Sequence, residues 1–244
     1  VEYTLNVYRG VLTFDYHQET VHYDNIAFVL TDRKAHVLHD GDSVTPYIVD
    51  EGEAEAELYL LSKQSGKTLK IPVPARQVAG ISPIDFAAER TEIAYGDWNL
   101  VASKPDMSDA VVWDNTTIPL TPGQNVYIQK YATDEAFASK VAELVVPDRP
   151  AAPAAPQAAS IGIDKIILQE VQGAAYRIGT GDWQENPIFT GLEPGKSYTF
   201  SMRLKATDTA FASLESRADI EVGTVALYLP VYYLYKGEKV GETT

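Results

Sequence analysis

All four histidines of the chain, His17, His22, His36 and His39, stand close together near its start. Neutral imidazole is a standard zinc ligand, so their crowding raises the question of a metal centre. Zinc needs ligands that converge. His17 and His22 differ in parity along an alternating strand, and no cysteine and no His-x-x-x-His helix accompanies them. Surface imidazoles are the expected outcome, with no metal ligand among them. Asp40-Gly41-Asp42 and Asp24-Asn25 gather the oxygen donors that calcium takes, but without the twelve-residue loop spacing of an EF-hand. Turn residues explain them more simply. Trp98, Trp113, Trp183, Tyr232 and Tyr233 are the candidate binding aromatics, able to stack on a sugar or a protein surface. Trp113 and Trp183 lie at similar distances before two Leu-x-Pro-Gly phrases, which points to a shared packing role. No Ser or Thr pairs with a His and an acid in recurring positions, and cysteine is absent. No catalytic residue, cofactor or enzymatic activity is expected.

The elements that would carry these residues are repeated. Leu120-Thr-Pro-Gly123 opens a stretch that ends in Ala132-Thr-Asp-Glu-Ala-Phe-Ala-Ser139. Leu192-Glu-Pro-Gly195 opens another that ends in Ala206-Thr-Asp-Thr-Ala-Phe-Ala-Ser213. Self-similarity of this kind marks an array of modules. In the second copy Tyr198, Phe200, Met202 and Leu204 alternate with Thr199, Ser201, Arg203 and Lys205, the period of a half-buried strand. After a Thr207-Asp208 turn, Leu214 to Val222 alternates again, giving a hairpin. The second copy is two residues longer, an even insertion that keeps every side chain on its face.

In chain order, Val1, Tyr3, Leu5 and Val7 alternate, so residues 1–9 read as a strand closing a preceding module. Residues 10–76 hold strand patterns at Val11 to Tyr16, Thr20 to Tyr23, Ile26 to Thr31, His36 to Leu38, Val44 to Val49, Glu57 to Leu61 and Thr68 to Val73. Short strands with frequent turn signals and no helical period predict a β-sandwich. Residues 77–148 form a second sandwich. Its Phe86 and Tyr95 repeat the spacing of Phe14 and Tyr23, and Val146-Pro-Asp-Arg149 repeats Val73-Pro-Ala-Arg76. Residues 149–160 carry Pro150, Pro153 and Pro156 among alanines, a polyproline II pattern that predicts a linker and the main hinge. Residues 161–223 form a third sandwich. Residues 224–244 begin a further, truncated module whose first hairpin turns at Lys236-Gly237-Glu238.

Charge narrows the partners. The 244 residues carry 34 acidic against 20 basic side chains, a formal charge of −14. No basic face is available for nucleic acid or for an anionic membrane surface. No apolar run is long enough for a transmembrane helix, so no membrane insertion is expected. No signal peptide opens the sequence, which is expected to begin after one or inside a longer protein. A monomer is expected.

The motifs carry a resemblance. Leu192-x-Pro-Gly-x-x-Tyr198 resembles the fibronectin type III consensus, in which a leucine and a turn precede a tyrosine-corner strand. Tyr176-Arg-Ile-Gly-Thr-Gly-Asp-Trp183, Phe189-Thr-Gly-Leu-Glu-Pro-Gly-Lys-Ser-Tyr198 and Lys205-Ala-Thr-Asp-Thr-Ala-Phe-Ala-Ser213 resemble modules of large extracellular proteins of gut-dwelling Gram-positive bacteria. Phe14-x-x-x-x-Glu-Thr-Val-x-Tyr23 resembles a companion module of the same proteins. The resemblance covers most of residues 10–223. It departs at Asp42-Ser-Val-Thr-Pro46, which replaces the Leu-x-Pro-Gly phrase, and at Tyr127, one position late. It implies an elongated, all-β array of tandem Ig-like or fibronectin type III-like sandwiches, with Tyr198 buried and its hydroxyl on nearby backbone. It also implies a secreted or wall-attached bacterial protein. Two roles follow: a non-catalytic array binding a host protein or glycan such as mucin or immunoglobulin, or a passive spacer presenting an enzyme domain elsewhere in the parent protein.

Overall fold

The computed structural model describes residues 11–93 and 99–224, and the backbone of 231–235 and 238–243. The described residues are all-β and contain no α-helix. The chain divides into two compact units, Val1–Asp148 and Arg149–Thr244.

The first unit contains two sandwiches. In the N-terminal one, β1 (Leu12–Asp15) pairs with β2 (Thr20–Tyr23), while β3 (Phe28–Thr31), β4 (Val37–Leu38), β5 (Glu57–Ser62) and β6 (Thr68–Pro72) form a sheet in the order β4-β3-β5-β6. Alternate residues drive this closure. Leu12, Val21 and Tyr23 from the hairpin meet Leu30, Leu38, Leu58, Leu60 and Ile71 from the larger sheet in one buried cluster. The Tyr23 hydroxyl donates to the Leu38 carbonyl at 2.6 Å, so the buried phenol is satisfied. In the middle sandwich β7 (Arg90–Glu92), β8 (Asn99–Ala102), β9 (Val111–Trp113), β10 (Thr117–Pro119), β11 (Val126–Lys130) and β12 (Ala142–Leu144) make a β10-β7 pair and a β12-β11-β8-β9 sheet.

The second unit holds β13 (Ala158–Ile161), β14 (Lys165–Leu168), β15 (Ala174–Ile178), β16 (Ile188–Thr190), β17 (Ser197–Leu204) and β18 (Ser216–Glu221). The sheets β13-β14-β16 and β15-β17-β18 enclose Ile166, Leu168, Tyr176, Phe189, Phe200 and Met202. This is the A-B-E against C-F-G arrangement of immunoglobulin-type sandwiches. A separate hairpin joins β19 (Val231–Tyr235) to β20 (Glu238–Thr243).

Several expectations change. Val44 to Val49 is not a strand: Thr45–Tyr47 form a 3₁₀ turn. Pro46, with its fixed φ and no N–H, favours a first helical turn over a ladder. Residues 149–160 are not a free linker. Ala158–Ile161 pair with β14, Leu214 N–H donates to Pro150 O at 2.9 Å, and Ser216 Oγ donates to Ala154 O at 3.0 Å. Proline carbonyls still accept, so a chain that reads as polyproline can be bound along a sheet edge. The match of Phe14 with Phe86 is also shifted by two residues. Glu19 and Glu89, both at φ 53°, are the structural equivalents, and their carbonyls accept from Val44 N–H and Leu120 N–H respectively. A two-residue slip preserves every face, so alternation alone could not expose it. Residues 1–9, Tyr95 and Trp98 lie outside the described residues.

Candidate functional site

The repeated phrase folds the same way twice. Thr133 N–H donates to Ala136 O and Thr207 N–H to Ala210 O, each at 2.9 Å. The Thr133 hydroxyl accepts from Glu135 N–H at 3.2 Å and the Thr207 hydroxyl from Thr209 N–H at 3.3 Å. The closing serines are 1 % and 3 % exposed. Ser139 Oγ accepts from Lys130 N–H and donates to Lys140 O, both at 2.8 Å; Ser213 Oγ accepts from Leu204 N–H at 2.9 Å and donates to Leu214 O at 2.8 Å. Each hydroxyl thus bridges the end of one strand to the start of the next. Ser139→Ala and Ser213→Ala are expected to cost about 1 kcal/mol each, because each removes two part-buried hydrogen bonds made by a buried hydroxyl. Denaturant titration of the two variants checks this, and a neutral result for either would contradict the shared role.

Inside the first unit this loop meets the N-terminal sandwich. Phe137 is fully buried in the cluster formed otherwise by residues 12–73. Its ring lies 4.7 Å from Tyr16 and 6.2 Å from Phe14, centroid to centroid. Arg76 grips Glu19 with both terminal nitrogens, at 2.5 and 3.0 Å, and Nη1 also donates to Ala138 O at 3.2 Å. Gln77 Nε2 donates to Tyr131 O at 2.9 Å and Phe137 O at 3.0 Å. Lys140 reaches Asp50 at 2.6 Å. In the second unit the equivalent arginine, Arg149, donates to Ala212 O at 2.9 Å with its guanidinium 5.9 Å from the Phe211 ring.

The candidate aromatics are occupied differently from one another. The Trp183 ring carries the guanidiniums of Arg177 at 4.5 Å and Arg203 at 4.3 Å. Arg177 in turn pairs with Glu215 at 2.5 Å, and Arg217 pairs with the same carboxylate. Ser201, flanked in register by Arg177 and Arg217, is 1 % exposed although it points away from the core. Trp183 is therefore claimed by its own chain through contacts worth about 0.5–2 kcal/mol each. Trp113 faces Asn99 in the ladder and donates its indole N–H to Thr117 O at 3.2 Å. Trp183 instead precedes the single bridge Tyr176–Gln184, so the two tryptophans do not share a position. Tyr232 and Tyr233 stand opposite Glu242 and Gly241 in β19–β20, with side chains outside the described residues.

The histidines do not converge. His22 Nδ1 lies 3.2 Å from Asp40, His39 3.4 Å from Asp42 and His17 3.4 Å from Asp134. Among the described residues no group of three such side chains could hold a metal. The acids are turn-formers: Asp24 accepts from Ile26 and Ala27, and Asp42 from His39 N–H at 2.6 Å, which holds its carboxyl below the usual range. Tyr198 is half-buried, not buried. Its hydroxyl accepts from Glu193 N–H at 3.1 Å, the corner bond, while Lys196 lies over the ring at 5.4 Å. Tyr127, one position late, sits on the other face and donates to Glu143 at 2.9 Å.

No protein-family model and no curated protein sequence matches the chain. Among solved structures it is similar to the chicken CNTN1 FN1-FN3 domains, at 11 % identity over 88 % of this chain and 98 % of that one, with a TM-score of 0.28. A likeness at that level assigns no residue a role.

Proposed function

We propose that this chain is a non-catalytic repeat region of a secreted or wall-attached bacterial protein, and that its main role is to space and present other parts of that protein. The observation that carries this is the use made of the repeated phrase. Its serine, its threonine and, in the first unit, its phenylalanine are consumed in bridging strands and joining sandwiches. What a repeat keeps is what its scaffold needs, and a spacer needs joints. The Trp183 ring carries two guanidiniums of its own chain, which supports the spacer reading over a sugar platform at that residue. The extracellular setting is supported by the module resemblance of residues 10–223.

A second reading, binding of a host protein or glycan, is favoured by one feature. Val111 and Val112 on the edge strand β9 are 54 % and 53 % exposed. The two readings separate when the purified fragment is presented to mucin, immunoglobulin and a glycan array at physiological salt, beside hydrolase substrates. The spacer reading expects silence on all of them. Salt-resistant binding that Val112→Lys abolishes would favour the second reading, and turnover of any substrate would overturn both.

A further inference from the structure

We infer that the N-terminal sandwich carries a socket that is completed by the Ala-Thr-Asp-x-Ala-Phe-Ala-Ser loop of the module that follows it, so that its own core closes only when that loop is seated. Among the described residues, Phe137 alone of the side chains in its buried cluster comes from beyond residue 73. Without that ring, Phe14 and Tyr16 would face a void or water, and a cavity of aromatic size is a large loss for a sandwich of this length. Beside the ring, the buried part of the socket reads backbone. Gln77 and Arg76 donate to the carbonyls of Tyr131, Phe137 and Ala138, which any sequence would supply if it held the same loop shape. That shape is set by the Thr133 and Ser139 hydroxyls. The centre of the contact is thus specified by one ring and three carbonyls, with the exposed Lys140–Asp50 and His17–Asp134 pairs at its rim. The x position, Glu135, is exposed and makes no side-chain bond among the described contacts, consistent with the threonine at the corresponding Thr209. The small Ala136 and Ala138 let the backbone approach. The inference stands whether the array binds a host ligand or only spaces.

The test is hydrogen exchange read by mass spectrometry on the whole chain, comparing the parent with Phe137→Ala, Gln77→Ala and Glu135→Thr. Unseating the loop should speed exchange in Leu12–Tyr23 by at least about tenfold, although these residues are far from position 137 in sequence. Peptides covering β14–β18 serve as the internal reference, and Glu135→Thr should leave Leu12–Tyr23 unchanged. If Phe137→Ala does not fold, Gln77→Ala gives the same reading in milder form, with faster exchange at Leu12–Tyr23. Loss of protection confined to residues 126–144, or a Glu135→Thr effect equal to that of Gln77→Ala, would overturn the inference.

Discussion

Phe200→Ala is expected to remove about 3–5 kcal/mol from the second unit, the usual cost of emptying a fully buried aromatic site. Phe200 is 0 % exposed, sits mid-strand in β17 between Ile178 and Ala218, and packs edge-to-face on Phe189 at 5.0 Å. That contact runs from one sheet of the sandwich to the other, so truncation takes away both transfer free energy and the inter-sheet ring pair. Neighbouring strands are held by ladders on both sides of β17, which limits collapse into the hole. Phe200→Leu should cost less than half as much, since most of the volume remains. Chemical denaturation followed by Trp183 fluorescence reads both variants. A loss below about 1.5 kcal/mol for the alanine variant would show that the site relaxes, contrary to the close-packed core described.

Much of this fold was legible because alternation is a strong signal where one face is wet. Thr20–Tyr23, Glu57–Ser62 and Ser197–Leu204 all lie where the pattern predicts strands. What escaped was anything that needs a partner distant in sequence. Ser201 reads as solvent-facing by parity, yet Arg177 and Arg217 in register and the Trp183 ring beyond them dry it out. Leu204 reads as core, yet it is 36 % exposed, because it is the last residue of β17 and the face it belongs to runs out there. Residues 149–160 read as linker because proline spacing says nothing about whether carbonyls find donors, and here Leu214 and Ser216 supply them.

The candidate site was harder to see for a related reason. The repeated Phe of Ala-Phe-Ala-Ser was visible as a motif but its destination was not, since nothing local to residues 132–139 records a socket built by Tyr16, Arg76 and Gln77. Two signals could have found it. Val-Pro-x-Arg recurs at Arg76 and Arg149, and an arginine kept at the end of a sandwich is a side chain with a job. The acid at Glu19 and Glu89 recurs with it, hidden by the two-residue slip in matching Phe14 to Phe86.

Arg76→Leu is the corresponding electrostatic test, expected to cost about 2 kcal/mol. That is less than the 3–5 kcal/mol of breaking a fully buried pair, because the Glu19 side chain keeps 22 % of its surface and Arg76 14 %. The loss comes from leaving the Glu19 carboxylate, among the described residues, with only Thr45 as a side-chain donor and Ala138 O without its guanidinium. The pH dependence distinguishes this cause from lost packing. The hydrogen bond from Arg76, helped by Thr45 and opposed by burial, holds the Glu19 carboxyl below its ordinary value. A carboxyl depressed in the folded state binds its proton more readily when unfolded, so stability rises with pH across the interval between the two values. The contribution is fully present above the ordinary carboxylate range and is lost as pH falls through the depressed folded value. Arg76→Leu should therefore flatten the acid limb of the stability curve of the first unit while leaving its neutral plateau about 2 kcal/mol lower. Denaturant midpoints from pH 3 to pH 7 for the parent, Arg76→Leu and Glu19→Gln measure it. Glu19→Gln should flatten the same limb, since the titrating group is gone. If the acid limb keeps its parent slope in both variants, the Arg76–Glu19 pair does not contribute to closing the joint around Phe137.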